Sequence, residues 1–368
     1  MGDRAIGLHE FIAEFQLWGN WEICYTDGTH LRECDFVKLG DVIIDVSEEL
    51  ARYYPILPFE FRPATHEQLK NSFARFSKEE SQINRAIEFI QDQLLESLVR
   101  SGLLRPNFRL MEGQTYQADF PEIMSSLSRR GYLIIVVDTS ALRRASVSFL
   151  HSTLSEVLIW TVVPVFVMNE VQRNVKKVND IWDAAGRGTN PHLGKCGVLS
   201  TRPLISCVSQ ELNFIRQWRP LEMLTTLPEH LHQSDGDSRA DRLIIESVKN
   251  LKRERGFHQG VFLLTGDKDM ASLATLENQG SLCVEVPTIS KETKVSSVRY
   301  DSHNQKLVLT PVHCLLWDLA LVFGKIRFTN TDQSRTYELN YYSPARGGFL
   351  ARTVMGIREL TDGPNHAE

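Results

Sequence analysis

The pattern that orders the chain is a set of short apolar runs, each ending in acidic or hydroxyl residues. Tyr132 to Val137 is six consecutive apolar residues, several β-branched, followed at once by Asp138, Thr139 and Ser140. A run so short and so apolar predicts a strand buried on both faces, as in a parallel sheet covered by helices. Val261 to Leu264 repeats the design and leads through Thr265 and Gly266 into Asp267, Lys268 and Asp269, with a helix expected over Met270–Glu277. Between and after them the alternation continues. Strands are expected at about Thr161–Val167, Leu221–Thr225 and Leu282–Val286. Helices are expected from Ala141 through Ser155, over Asn169–Ala185, from about Pro203 to Trp218 and over Ser238–Arg255. Strand and helix in regular alternation predict an α/β domain, a parallel sheet with helices on both faces.

The flanks follow other rules. Trp21–Tyr25 and Leu31–Val37 flank Asp27-Gly28, a hairpin signal, and Val42–Val46 is a further candidate strand. Pro55, Pro58 and Pro63 predict an irregular connection. Two capping boxes, Thr65 with Gln68 and Ser77 with Glu80, open helices. The second carries Ile83, Ile87, Ile90, Leu94 and Leu98 on one face and stops at Gly102. After residue 287 come an apolar helix, Val312–Phe323, strands near Lys325–Thr329 and Thr336–Tyr342, and a polar tail from Thr361. The expected division is therefore an accessory region over 1–130, mixed and then helical, an α/β domain over 131–287 with an insertion at about 186–220, and a C-terminal extension over 288–368.

Charge sharpens this division. The chain of 368 residues has a formal net charge of −5, so it presents no global basic field. Residues 1–130 carry 14 Lys and Arg against 21 Asp and Glu, whereas 171–219 carry 8 against 3. A local basic segment in an acidic chain suggests one face for a polyanion. Six scattered cysteines without a C-x-x-C pair predict reduced thiols and a cytoplasmic protein. No signal peptide is evident, and the longest apolar run, Val157–Met168, is interrupted and too short to span a bilayer, so no membrane association is expected.

The chemistry lies at the strand ends. In parallel sheets ligands bind outside the carboxyl ends of strands, and neighbouring strands lie about 4.8 Å apart. Asp138 and Asp267 on neighbouring strands would repel one another unless a cation joined them, and oxygen-only ligands point to Mg²⁺ or Mn²⁺. Glu170 follows the second strand in Val167-Met168-Asn169-Glu170, and Asp241 opens the helix before the fourth, with Asp237 one turn earlier. Each of these alone also suits a helix start, where a carboxylate favours the dipole.

Taken together, Val137-Asp138-Thr139-Ser140, Val167-Met168-Asn169-Glu170, Ala240-Asp241-Arg242-Leu243-Ile244-Ile245 and Leu264-Thr265-Gly266-Asp267-Lys268-Asp269-Met270 resemble the PIN-domain nuclease family over about residues 131–287. The resemblance implies that Asp138, Glu170, Asp241 and Asp267 are the metal-binding catalytic acids, with Asp269 and Asp237 as auxiliary ligands and Ser140 and Thr265 as orienting hydroxyls. It also implies metal-assisted phosphodiester hydrolysis with nucleic acid, RNA in particular, as substrate. Candidate phosphate contacts around the mouth are Arg143, Arg144, Arg173, Lys176, Lys177, Arg187, Lys195 and Lys268. The stretch between Glu170 and Asp235 departs from the family's compact form. A nuclease for branched or ended DNA and a non-catalytic scaffold of the same fold are the competing readings. The N-terminal region offers a surface for a homo-oligomer or a protein partner.

Overall fold

The computed structural model describes residues 4–15, 19–25, 37–47, 50–56, 93–102, 104–113, 115–170, 222–224, 237–255, 260–286, 299–301, 306–308, 310–341 and 354–360, some of them by backbone alone. In chain order the elements begin with β1 (Arg4–Ile6), α1 (Leu8–Glu14), β2 (Gly19–Tyr25), β3 (Val37–Ser47), β4 (Leu50–Ile56) and helix α2 over 93–100. Next are β5 (Asn107–Glu112), β6 (Thr115–Gln117), α3 (Phe120–Ser128), β7 (Tyr132–Val137), α4 (Thr139–Arg143), α5 (Ser146–Thr153), β8 (Leu158–Pro164) and helix α6 over 165–170. There follow β9 (Glu222–Leu224), α7 (Asp237–Arg255), β10 (Val261–Thr265), α8 (Lys268–Leu276) and β11 (Gly280–Glu285). The last are β12 (Arg299–Asp301), β13 (Lys306–Val308), α9 (Thr310–Phe323), β14 (Lys325–Asn330), β15 (Arg335–Tyr341) and β16 (Met355–Leu360).

Two compact units divide these elements. One holds a sheet in the order β6-β5-β11-β10-β7-β8-β9. Its five strands from β11 to β9 are mutually parallel, with β5 and β6 added antiparallel at one edge. It is an α/β fold with a mostly parallel sheet flanked by helices. The central strands explain themselves: Leu133 to Val137 and all of β10 are buried, so only apolar side chains fit on either face. After β7 the chain moves outward to β8 and β9, and from α7 it returns to β10 on the other side of β7. The sheet therefore reverses direction between β7 and β10, the place where open α/β sheets leave a crevice at their carboxyl ends.

The other unit is a seven-stranded sheet in the order β1-β16-β15-β14-β2-β3-β4, antiparallel throughout. Phe11 of α1 sits at its core, 5.4 Å from the His313 ring, 6.0 Å from Trp317 and 6.2 Å from Phe328. Arg100 of α2 is held by Asp318 of α9 at 2.8 Å and by Glu96 at 3.3 Å, all three side chains buried. A hairpin of β12 and β13 completes the paired strands described.

One boundary between the two compact units falls between Leu104 and Arg105, and the first and last described strands pair in one sheet. The physical reason is aromatic: Phe108 of β5 meets Phe120 and Phe149 at 6.2 and 5.7 Å, tying residues 105–128 to α5. Other expectations shift locally. The second parallel strand begins at Leu158 and ends at Pro164, and the helix after it starts at 165, so Glu170 is its sixth residue. Proline lacks the amide a continuing ladder needs, and its fixed φ suits a helix entry. The helix after β7 is broken in two at Ala145, whose φ is 51°. Pro55 lies inside β4, at the sheet edge where a missing donor is tolerated. The capping boxes, Ile83, Ile87, Ile90 and the polar tail lie outside the described residues, as do the helices expected over Asn169–Ala185, beyond residue 170, and Pro203–Trp218.

Candidate active site

The parallel register fixes where the acids lie. Val137 pairs with Leu264, and the amide of Asp138 donates to the Leu264 carbonyl at 3.0 Å, so Asp138 leaves β7 level with Thr265, the last residue of β10. Asp138 is 8% exposed, an unusual place for a carboxylate, and its oxygens are correspondingly well supplied. The Thr139 amide donates to Oδ1 at 2.7 Å. The Ser140 amide at 3.3 Å, the Ser140 hydroxyl and the Thr265 hydroxyl at 2.9 Å all donate to Oδ2. Asp138 thus caps α4 and is pinned from the neighbouring strand as well.

Asp267 is built the same way and differently exposed. Its Oδ1 accepts from the amides of Asp269 and Met270 at 2.8 and 3.2 Å, capping α8. Its side chain is exposed, and among the described residues no hydrogen bond engages Oδ2. One hydroxyl joins the two acids: Thr265 Oγ1 donates to Asp138 and accepts from the Asp267 amide at 3.0 Å. Ser140 forms a second link, its Oγ accepting from the Gly266 amide at 2.7 Å. The carboxylates therefore sit on one hydrogen-bonded frame made of two helix caps and the ends of two adjacent strands.

Glu170, exposed and the last described residue of α6, accepts from the Thr139 hydroxyl at 2.6 Å, which brings a third acid beside the residue that follows Asp138. Asp241 is half-buried in the first turns of α7, and Asp269 is exposed in the first turn of α8. Asp237 begins α7, with its side chain outside the described residues. Among the described residues no three acidic, histidine or cysteine side chains gather closely enough to enclose a metal ion. The donor chemistry itself suits Mg²⁺ or Mn²⁺. The acids offer only oxygen, and among the described residues Asp267 keeps one oxygen uncommitted.

The expected phosphate contacts separate into groups. Arg173, Lys176, Lys177, Arg187 and Lys195 lie outside the described residues. Arg143 is half-buried at the end of α4, and Lys268 is an exposed side chain paired with Glu285. Arg144 turns inward, where the sequence suggested the mouth. Its Nη1 donates to the Gly266 carbonyl at 2.9 Å and to the Val284 carbonyl at 2.5 Å, so it ties α4 to the ends of β10 and β11. Gly266 is consequently a position for glycine: a Cβ there would lie 2.3 Å from that nitrogen. Sequence reasoning missed this clamp and the Thr139–Glu170 bond. The one available signal was the glycine set between two functional side chains, Thr265 and Asp267.

Residues 135–280 match the family model described as the PIN domain. Among solved structures, a domain of a functionally unknown protein from Methanocaldococcus jannaschii DSM 2661 is similar at 18% identity, covering 44% of this chain and 97% of that one, with a TM-score of 0.26. No curated protein sequence matches the chain. Among the described residues no helix is long and apolar enough to cross a membrane.

Proposed function

We infer that this chain, whose residues 135–280 belong to the PIN domain family, is a divalent-metal-dependent nuclease that hydrolyses phosphodiester bonds in RNA. PIN domains are generally nucleases, and those nucleases typically use divalent metals. The observation that carries the reading is the shared frame. Asp138 and Asp267 leave adjacent parallel strands at the point where the sheet reverses, and one threonine hydroxyl links them. Asp138 is buried and Asp267 exposed beside it, and a buried carboxylate next to a second one is costly without a cation.

In this reading Asp138, Asp267, Glu170 and Asp241 hold Mg²⁺ or Mn²⁺, with Asp269 and Asp237 in support. When bound, the ion supplies charge neutralisation at the phosphate and a water of lowered pKa. The protein's part is preorganisation. Ser140 and Thr265 fix the rotamer of Asp138, and the cap of α8 fixes Asp267 and leaves one oxygen for a ligand. Thr139 holds Glu170 at the same edge. The acids approach as fixed charges, so little reorganisation remains for the moment of reaction. Reduced thiols at Cys24, Cys283 and Cys314 suit a reducing compartment such as the cytoplasm.

A non-catalytic scaffold is the second reading, favoured by the lack of a three-acid cluster among the described residues. Labelled RNA and DNA panels incubated with Mn²⁺, Mg²⁺ or chelator separate the two. The nuclease reading expects RNA cleavage by the wild type with metal and at least a hundredfold less by Asp138→Asn. Uncut RNA under every metal condition would favour the scaffold, and preferential cutting of branched DNA would move the substrate to DNA.

A further inference from the structure

The residue row that carries the acids continues past them. Thr265 pairs with Cys283 of β11, and Cys283 pairs with Arg109 of β5, so Arg109 stands two strand spacings, about 10 Å, from Thr265 along the carboxyl-end rim. Beside it Glu285 ends β11, bound to Arg109 at 2.9 Å and to Lys268 at 2.9 Å. Glu285 is 15% exposed, whereas Arg109 and Lys268 are 39% and 67% exposed. Both cations are thus anchored by one oxygen each and keep other donors in solvent. Arg144 belongs to the same neighbourhood. Burial pushes the Cys283 thiol up, Glu285 adds to that, and Arg144, Arg109 and Lys268 pull it the other way. Exposed ion pairs add little to stability, so a role in holding the fold is a poor account of two cations on one carboxylate.

We propose that Arg109 and Lys268, bridged by Glu285, receive backbone phosphates of the substrate, so that the nucleic-acid strand runs across the rim from Asp138 toward β5. The proposal rests on the nuclease reading and adds the direction in which the strand leaves the acids. It also gives a task to the antiparallel strand β5, which the sequence assigned to an accessory region. Glu285 sets where the two cations stand, and phosphate competes with its carboxylate for them. The contact is to phosphate and carries no base preference. Lys268 is flanked in sequence by Asp267 and Asp269, so Arg109 is the cleaner residue to test.

The test is equilibrium binding of the full chain to a fluorescein-labelled single-stranded RNA oligonucleotide, and to DNA of the same sequence, at several salt concentrations with chelator present. Arg109→Ala should weaken binding several-fold and lower the slope of log affinity against log salt by about 1, while Arg109→Lys keeps the slope. Glu285→Gln, which releases both cations, should bind more tightly than the wild type. Unchanged affinity and slope in Arg109→Ala, with RNA cleavage by the wild type intact, overturns this proposal alone. A wild type that neither binds nor cuts either strand overturns the nuclease reading with it.

Discussion

At the scale of single residues, the site depends on who may occupy position 266. Gly266 is held on both sides, its amide by Ser140 and its carbonyl by Arg144, and those bonds set the distance between the turn that carries Asp267 and the helix that follows Asp138. A methyl group at this position meets a guanidinium that is pinned by two carbonyls and cannot simply swing away. Gly266→Ala should therefore cost about 1–3 kcal/mol, the scale of lost hydrogen bonds to a charged group, and reduce cleavage. In the double variant Gly266→Ala with Arg144→Ala the clash is gone, so the added alanine should cost much less than in the wild type. Urea unfolding of the four proteins checks this, and an additive result would remove the clamp. Asp138 and Asp267 were legible as strand-end acids because each follows an apolar run. Arg144 was not: a long basic side chain near a helix end gives no sign that its partners are carbonyls 122 and 140 residues away.

Elements show a second limit of local pattern. The parallel strands β7, β10 and β11 fall where the apolar runs predict them, because a strand buried on both faces admits almost nothing else, and the backbone of β9 lies within the run Leu221–Thr225. β8 lies three residues earlier than its run suggested. Apolar residues from Val157 to Met168 suit a strand and the buried start of a helix equally, and Pro164 decides between them. The antiparallel sheet offers a test of its own. Glu338 of β15 is buried between Lys325 and Arg327 of β14 and Arg358 of β16. Burial pushes its carboxyl up, but the bonds from Arg327, Arg358 and Lys325 outweigh burial and hold the group below its ordinary value. A depressed folded pKa contributes stability that is present above the unfolded value and lost as pH falls through the folded one. The antiparallel unit should thus weaken on acidification below about pH 4.5, and Glu338→Gln should flatten that part of the profile. Identical acid profiles for the two proteins would show that the carboxylate does not tie the three strands.

On the scale of the whole chain, the two units interleave in sequence. β1 pairs with β16, Arg4 opposite Ile357, so the first and last described strands are neighbours. No periodicity can reveal a pairing of that separation, because each strand carries only its own alternation and not the identity of its partner. The parallel strands were legible for the opposite reason: β7 to β8 and α7 to β11 each follow closely in sequence, and right-handed crossovers leave few ways to arrange such units. The central claim is that the acids of that sheet hold a hard divalent ion. Direct titration of the full chain with Mn²⁺, followed by calorimetry, tests it without reference to substrate. The wild type should bind Mn²⁺, and Asp138→Asn and Asp267→Asn should each lose about tenfold or more in affinity while remaining folded. Binding unchanged by either substitution, or no binding by a wild type that still cuts RNA, would contradict the account.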